Sequence, residues 1–192
     1  MYRLFVGLAL PDDVREHLAR FTHGLTGASW IAPENYHLTL RFIGDVDRHD
    51  AADIDVSLQG VAADSFEFCL TGLGVFGQGR KTRALFAKAN ASPGLIHLHS
   101  KVESAVVRAG HPPESRKFVP HVTVARFRSA NRERLQGFVE RNGLFKTDPI
   151  TATRFVLFES HLGKGGSVYE ELADYPLQIL KNRVLNPEYV AS

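Results

Sequence analysis

Two short segments of the chain, Tyr36-His37-Leu38-Thr39-Leu40 and Pro120-His121-Val122-Thr123-Val124, share the form His-x-Thr-x with an apolar residue at both x positions. Successive side chains of a β-strand point to opposite faces, so each segment predicts a strand with one buried aliphatic face. The other face then presents a histidine beside a threonine hydroxyl. Core packing does not require that pair twice, and the two copies, 84 positions apart, predict two similar lobes whose central strands face one another across a cleft.

Apolar periodicity elsewhere in the chain predicts alternating strands and helices in one compact α+β unit. Without a long linker or low-complexity segment, residues 1–192 are expected to form a single domain made of two similar lobes. Strands are expected at 2–10, 36–43, 65–70, 82–89, 118–127, 151–159 and 167–172, and helices at 12–25, 50–58, from Pro93 to Gly110, and at 132–141. The apolar faces of two helices are assigned to Val14, Leu18, Phe21 and Leu25, and to Leu95, Leu98, Val102, Ala105 and Val106.

Composition places the chain among globular proteins, with 192 residues of which 44% are hydrophobic and 23% charged. No apolar run approaches the roughly 18 residues that a membrane span needs. A single cysteine, Cys69, excludes an intramolecular disulfide framework and a zinc site built from cysteines, so a reducing, cytoplasmic setting is expected. The apolar segment at residues 4–10 is assigned to a buried first strand and not to a secretory signal, because Pro11-Asp12-Asp13 follows it without a small-residue cleavage site.

Charge is unevenly distributed along the chain, although the formal net charge is only +2. Residues 1–79 carry 5 basic and 11 acidic side chains, residues 80–134 carry 12 basic and 3 acidic ones, and residues 135–192 carry 6 and 7. The basic middle third predicts either an anion-binding surface for a phosphodiester or a solvated face that meets acidic neighbours from the other thirds.

Three other patterns are interpreted as having no catalytic role. Gly72-Leu73-Gly74-Val75-Phe76-Gly77 matches the dinucleotide fingerprint G-x-G-x-x-G, but a strand follows it instead of a helix, so the glycines are assigned to a loop between strands. The segment from Gly163 to Ser167 lacks P-loop spacing, and no G-x-S-x-G elbow is present. His97 and His99 lie in a predicted helix, where residues i and i+2 diverge, which disfavours a metal pair.

The two motifs and their flanks resemble the 2H phosphoesterases, in particular the RNA 2′,3′-cyclic phosphodiesterases, which are also called RNA 2′,5′-ligases. The resemblance covers nearly the whole chain, and its specificity comes from the two motifs occurring together in this order. Gly77 departs from the family, which has proline after the phenylalanine. The matching segments are Arg3-Leu4-Phe5-Val6-Gly7-Leu8 with Pro11, Trp30, Pro33 through Gly44, Gly72 through Phe76, Phe118 through Arg126, and Ser160 leading to Tyr169 and Tyr175-Pro176-Leu177.

The resemblance implies a bilobal fold with pseudo-twofold symmetry, in which two antiparallel sheets form a central cleft with helices outside. It implies hydrolysis of a terminal 2′,3′-cyclic phosphate on RNA to a 2′-phosphate. It also implies the reverse joining of a cyclic end to a 5′-hydroxyl by a 2′-5′ bond, without ATP. RNA with such an end or linkage is the expected partner, and no metal or other cofactor is expected.

The resemblance also assigns roles to residues of this chain. His37 is the implied proton donor and His121 the acceptor in hydrolysis, with the roles exchanged in ligation. Thr39 and Thr123 are the implied hydrogen-bond donors to the non-bridging phosphate oxygens. Arg126 matches the family's arginine after the second motif and is expected to contact phosphate. Strict alternation places Arg126 on the face opposite His121, so it needs a β-bulge or the strand end to reach the site.

The residue types suit this chemistry independently of the resemblance. Opening a cyclic phosphodiester in line requires a base on the attacking water and an acid on the departing oxygen, at opposite sides of phosphorus. Histidine, with an unperturbed pKa near 6.5, can serve as either near neutral pH.

Weaker candidates and a second class of function remain open. Arg80, Lys81 and Arg83 are candidates for contacts with the RNA backbone. Tyr36, Phe42 and Trp30 are candidates for stacking on a base, although Trp30 and Phe42 are expected in the core. The chain, expected to be a monomer, is either the cyclic phosphodiesterase, a related enzyme acting on small cyclic nucleotides or 2′-5′ oligomers, or a noncatalytic RNA-binding module.

Overall fold

A computed structural model describes residues 1–20, 22–163 and 166–179 and shows an α+β fold with antiparallel pairing between its named strands. The helices are α1 (Asp12–Ala19), α2 (Arg48–Gln59), α3 (Pro93–Arg108) and α4 (Arg132–Arg141), with short 3₁₀ turns at Pro33–Asn35 and Gly79–Lys81. The strands are β1 (Tyr2–Ala9), β2 (Ala28–Trp30), β3 (His37–Val46), β4 (Phe66–Phe68), β5 (Leu70–Phe76), β6 (Ala84–Ala89), β7 (His121–Phe127), β8 (Ile150–Ala152), β9 (Arg154–Gly163) and β10 (Gly166–Pro176).

The main sheet consists of two halves that meet at the strands carrying the His-x-Thr-x motifs. Its order is β10-β9-β1-β3-β7-β6-β5, with β2 also paired to β7, while β4 and β8 form a separate two-stranded sheet. β3 and β7 share one residue pair in register, Leu38 with Val122. β3 and β7 therefore separate beyond this pair, and β7 continues beside β2 at residues 125–127. The cleft is the space between the two halves on the face that carries the motif histidines and threonines.

Each half is built in the same chain order of strand, helix, motif strand and helix. The first half uses β1, α1, β3 and α2, with β2 inserted before β3, and the second uses β6, α3, β7 and α4. In both halves the motif strand pairs antiparallel with the strand that opens the unit. The bilobal α+β architecture expected from the sequence is confirmed.

The helices cover the faces of the sheet that lie opposite the motif histidines. In α3 the entire predicted apolar stripe is buried, and Ser92 caps the helix by accepting a hydrogen bond from the Leu95 amide at 3.4 Å. Asp47 and Asn131 cap α2 and α4 in the same way. None of the helices in the described part of the chain is long and apolar enough to cross a membrane.

Several predicted boundaries are wrong, for local reasons. α1 ends at Ala19 instead of residue 25, although Leu25 is still buried beyond it, and the predicted core residue Phe21 lies outside the described residues. The strands predicted at 65–70 and 151–159 are each divided because their first parts pair with one another as β4 and β8. The short strand β2 was not predicted, since three residues carry too little periodicity.

The glycine-rich segment predicted as a loop is instead the edge strand β5. Gly72 has a φ of +62° at the irregularity in the β5–β6 register, and Gly74 lies beneath the ring of Phe86. A Cβ at Gly74 would approach the Cε2 and Cζ carbons of Phe86 to 2.6 Å. These glycines therefore permit close packing of neighbouring strands and do not form a turn.

Replacing Gly74 by alanine is expected to destabilise the fold by about 1–3 kcal/mol, because the new methyl group overpacks against Phe86. Urea unfolding followed by circular dichroism measures the change. Gly60→Ala is the matched control, since its Cβ meets only the Ser57 carbonyl oxygen at 3.5 Å and its φ of −79° suits alanine. Equal midpoints for the two variants would contradict the packing argument.

Candidate active site

The two motif strands present their histidines and threonines on the cleft face, as the alternation predicts. Leu38 and Val122 are fully buried, whereas both histidines and both threonines are half-buried. Antiparallel pairing at Leu38 and Val122 brings His37 toward Thr123 and His121 toward Thr39. The two histidines therefore lie diagonally across the one residue pair that β3 and β7 share in register.

A β-bulge in β7 brings Arg126 to the histidine face. Leu85 of β6 pairs with Ala125 and Phe86 with Thr123, so Val124 is an extra residue on β7. Val124 and Ala125 are consecutively buried, and Arg126 is exposed. The bulge reverses the alternation after Thr123, which supplies the geometric condition that the sequence required for Arg126 to reach the site.

The first half carries a corresponding bulge with a different consequence. Gly7 pairs with Thr39 and Val6 with Arg41, so Leu40 is the extra residue on β3. Arg41 is consequently turned into the interior at 8% exposure, and Phe42 is turned outward at 40% exposure. The prediction that Phe42 belongs to the core is therefore wrong, and Phe42 occupies the position in this half that Arg126 occupies in the other.

Both histidine rings are held by a backbone carbonyl two residues earlier in the chain. Nδ1 of His37 lies 2.8 Å from the Asn35 oxygen, and Nδ1 of His121 lies 2.6 Å from the Val119 oxygen. A carbonyl only accepts, so each Nδ1 carries the proton and donates it. Nε2 of each neutral ring is thereby left with a free lone pair for proton transfer.

Aromatic side chains pack around each histidine and exclude water from one side of the ring. His37 lies between Phe5, at a centroid separation of 4.7 Å, and Tyr169, at 4.8 Å and edge-on. His121 contacts Phe76 at 4.8 Å and Phe86 at 5.1 Å. The side chain of Asn35 donates to the Ser167 carbonyl at 2.9 Å, which ties the β9–β10 hairpin to the segment that orients His37.

Burial shifts the pKa of both histidines downward. The pKa of His37 is lowered to about 4, mainly by burial and to a lesser extent by the charges of His121 and Arg126, whereas the hydrogen bond to Asn35 opposes the shift. Burial also lowers the pKa of His121 from its ordinary value of 6.5, and the hydrogen bond to Val119 opposes this shift. The action of His121 and Arg126 on the ring of His37 places all three groups in one electrostatic site.

The weaker candidates from the sequence are placed in different environments. Tyr36 is buried at 2% exposure and is not available to stack on a base, and Trp30 packs against Phe138 in the core, as expected. Lys81 and Arg83 are exposed, and Arg83 donates to the Arg128 carbonyl at 2.9 Å. The side chain of Arg80 lies outside the described residues.

The described chain offers no metal site at the other histidines, and two of its cavities lie away from the motif histidines. His99 stacks on Phe118 with ring centroids 3.8 Å apart, and no group of three His, Cys, Asp or Glu side chains in residues 1–20, 22–163 and 166–179 is arranged to hold a metal ion. Two cavities, of about 210 Å³ beside β1 and β8 and about 600 Å³ between α4 and the β5–β6 connection, include neither motif histidine.

Two antiparallel halves that present two backbone-anchored histidines to one cleft define the 2H class of phosphoesterases. The chain belongs to the 2′-5′ RNA ligase superfamily, whose family model matches residues 9–161. It is 29% identical over 180 residues to the RNA 2′,3′-cyclic phosphodiesterase of Bacillus subtilis, covering 90% of this chain and 95% of that protein. It is 31% identical over 144 residues to the protein of the same name from Aeropyrum pernix, covering 74% and 82%.

The fold is also found among solved structures. A crystal structure of a Thermus thermophilus protein matches with a TM-score of 0.76 at 25% identity, covering 93% of this chain and 99% of that one. The family assignment made from the paired motifs is thus confirmed by sequence and by fold.

Proposed function

We propose that this protein hydrolyses terminal 2′,3′-cyclic phosphates of RNA to 2′-phosphates. The observation that carries the proposal is the pair of histidines, each fixed through Nδ1 to a backbone carbonyl and each with Nε2 free, on the cleft faces of strands that touch at one residue pair. The names of the Bacillus subtilis and Aeropyrum pernix relatives support the same substrate class.

The proposed reaction is an in-line displacement at phosphorus. His121 accepts a proton from water, whose oxygen forms a bond to phosphorus as the bond to the 3′-oxygen breaks. His37 donates a proton to that 3′-oxygen, and the phosphate remains as a monoester on the 2′-oxygen. Each proton transfer contributes typically about 10²–10⁴ in rate.

Negative charge that accumulates on the non-bridging oxygens is stabilised by three side chains on the same faces. Thr39 and Thr123 donate hydroxyl hydrogen bonds to those oxygens, one from each half of the cleft. Arg126, brought to the cleft by the β7 bulge, supplies the positive charge.

The low pKa of His37 makes this donor neutral in the free protein at pH 7. Binding of the anionic phosphate beside His37 raises its pKa, because a negative charge favours the protonated ring. Protonation of His37 is therefore coupled to substrate binding, and the two histidines titrate as a pair.

The lowered pKa values predict an acidic optimum for kcat/KM, which reports the free protein. Turnover requires one protonated and one neutral histidine, so kcat/KM is expected to be bell-shaped with its maximum below pH 6.5. Above the higher pKa it falls about tenfold per pH unit, because the donor loses its proton. The maximum of kcat is expected at a higher pH than that of kcat/KM, because bound phosphate raises the pKa values of both histidines.

A variant at Arg126 tests the cause of this profile. Arg126→Gln removes a positive charge that lowers the pKa of His37, so the acid limb of kcat/KM is expected to move to higher pH. Initial rates across pH 3 to 9 on one cyclic-phosphate oligonucleotide provide the measurement. An optimum above pH 7, or an unmoved acid limb in the variant, would contradict the electrostatic argument.

A 5′-hydroxyl in place of water would open the same cyclic phosphate by the same in-line displacement. His121 accepts the proton of the 5′-hydroxyl, whose oxygen bonds to phosphorus as the bond to the 3′-oxygen breaks, and His37 donates a proton to that 3′-oxygen, which leaves a 2′-5′ linkage and a 3′-hydroxyl. The histidines therefore keep the roles they have in hydrolysis, and the exchange of roles that the resemblance implied for ligation occurs only when a 2′-5′ linkage is cleaved. The strained cyclic ester supplies the driving force, so ATP is not consumed.

Phosphorus NMR of an RNA oligonucleotide ending in a 2′,3′-cyclic phosphate, incubated with the protein in the presence of a chelator, tests the proposal. The cyclic signal is expected to be replaced by that of a 2′-phosphate monoester, at a rate unchanged by the chelator. An unchanged cyclic signal with folded protein would overturn the proposal. Salt-dependent RNA binding without turnover would then favour a binding module, and turnover of small cyclic nucleotides alone a sister activity.

A further inference from the structure

The cleft face of β6 carries a cation that the proposed mechanism does not use. Lys88 lies in register with His121, and Phe86, two residues earlier on the same face, contacts the ring of that histidine. The alternating residues Leu85 and Ala87 are fully buried on the opposite face. Lys88 is exposed and forms no salt bridge among the described residues.

Gly74 directs the Lys88 side chain away from the reacting centre. A Cβ at Gly74 would lie 3.1 Å from Lys88 Cε, so the aliphatic stem crosses from β6 over the bare backbone of β5. β7, with His121, is on the other side of β6. In agreement, the charge of Arg126 lowers the pKa of His37, whereas Lys88 is not among the causes of the shift at either histidine.

The two halves of the cleft differ in charge. His37 in the first half is surrounded by the neutral rings of Phe5, Phe158 and Tyr169. The second half contains both Arg126 and Lys88, within the segment 80–134 that has 12 basic and 3 acidic side chains. A second phosphate next to the reacting one is therefore favoured on the second half, at the end of the Lys88 side chain.

We propose that Lys88 binds the phosphodiester on the 5′ side of the terminal nucleotide while the histidines hold its cyclic phosphate. The inference rests on the proposed function and makes Lys88 a substrate-positioning residue that favours RNA ends over mononucleosides. A lysine ammonium suits this role because it is a compact point charge on a flexible stem and requires no fixed geometry of the phosphate.

Two small substrates that differ by one group isolate this contact, namely a nucleoside 2′,3′-cyclic phosphate with a 5′-hydroxyl and the same compound with a 5′-phosphate. In the wild-type protein the 5′-phosphate is expected to lower KM. Lys88→Gln is expected to raise KM for the 5′-phosphorylated compound by about 5- to 10-fold, with kcat and the 5′-hydroxyl compound unchanged. Lys88→Arg is expected to retain the lower KM for the 5′-phosphorylated compound. Lys101→Gln, at an exposed position on α3, is the matched control.

An equal increase in KM for both compounds in Lys88→Gln would place Lys88 at the reacting phosphate and overturn the inference. An unchanged KM for both compounds would also overturn it. A binding measurement keeps the test independent of turnover. Fluorescence anisotropy of an RNA oligonucleotide ending in a 2′-phosphate, followed from 50 to 300 mM salt, is expected to give a log–log slope about 0.7 smaller for Lys88→Gln than for Lys101→Gln. Identical slopes would overturn the role of Lys88. Absence of turnover by the wild-type protein would instead overturn the proposed function.

Discussion

His37→Ala and His121→Ala are each expected to reduce kcat on a cyclic-phosphate oligonucleotide by about 10²–10⁴, because each removes one partner in proton transfer. The double variant is expected to be much less impaired than the product of the two losses, since the two histidines act as a unit. Single-turnover hydrolysis, followed by separation of the cyclic and 2′-phosphate products, measures the effect.

A surface histidine provides the control for this experiment. His97→Ala, at an exposed position on α3, is expected to retain wild-type activity. RNA binding by the two active-site variants is expected to persist, because Arg126 and Lys88 remain in the cleft. Full activity in either variant would exclude the assigned acid–base pair.

Arg41→Ala is expected to reduce the free energy of unfolding by about 3–5 kcal/mol, the typical cost of leaving a buried ion pair without one partner. The Arg41 guanidinium is 2.8 Å from the Glu103 carboxylate and 3.6 Å from that of Glu114. It also donates to the Phe42 carbonyl at 2.9 Å and the Pro112 carbonyl at 2.5 Å. Its loss leaves the carboxylate of Glu103, which is partly buried at 20% exposure, without its nearest counter-charge.

This side chain joins the two halves of the molecule. Arg41 belongs to β3, whereas Glu103 belongs to α3, and Pro112 and Glu114 to the segment leading into β7. Because β3 and β7 share one residue pair in register, Arg41 provides a further link between β3 and the helix and segment that precede β7. The variant is therefore expected to lose activity in addition to stability.

Urea unfolding, with an exposed ion pair as reference, measures the stability effect. Arg116 also pairs with Glu114, but the Arg116 side chain is 77% exposed. Arg116→Ala is therefore expected to change the free energy of unfolding by about 0–1 kcal/mol. The double variant Arg41→Met with Glu103→Gln is expected to recover part of the loss, since no unpaired charge remains. If Arg41→Ala lowers the free energy of unfolding no more than Arg116→Ala does, the Glu103 carboxylate does not need its counter-charge and the prediction is contradicted.

The local sequence pattern was sufficient to predict the structure wherever the direction of a side chain depends only on the period of its strand or helix. The cleft-facing histidines and threonines, the buried stripe of α3 and the bounds of α4 at Arg132 and Arg141 all agree with the sequence. The failures occur where neighbouring strands interact. Glycines that indicate a loop in isolation form β5, because Phe86 of the adjacent strand needs the space above Gly74.

The sequence by itself determined the family, the paired histidine strands and the order of the main elements, because these depend on residue type and on periods of 2 and 3.6. Tertiary structure decided which charges reach the cleft. Pairing with β1 and β6 creates bulges at Leu40 and Val124, which turn Arg41 inward and Phe42 and Arg126 outward. The tertiary structure also placed Lys88 beside the site and lowered the pKa values of the two histidines. Register and burial are properties of neighbouring strands, so a single segment of sequence does not determine them.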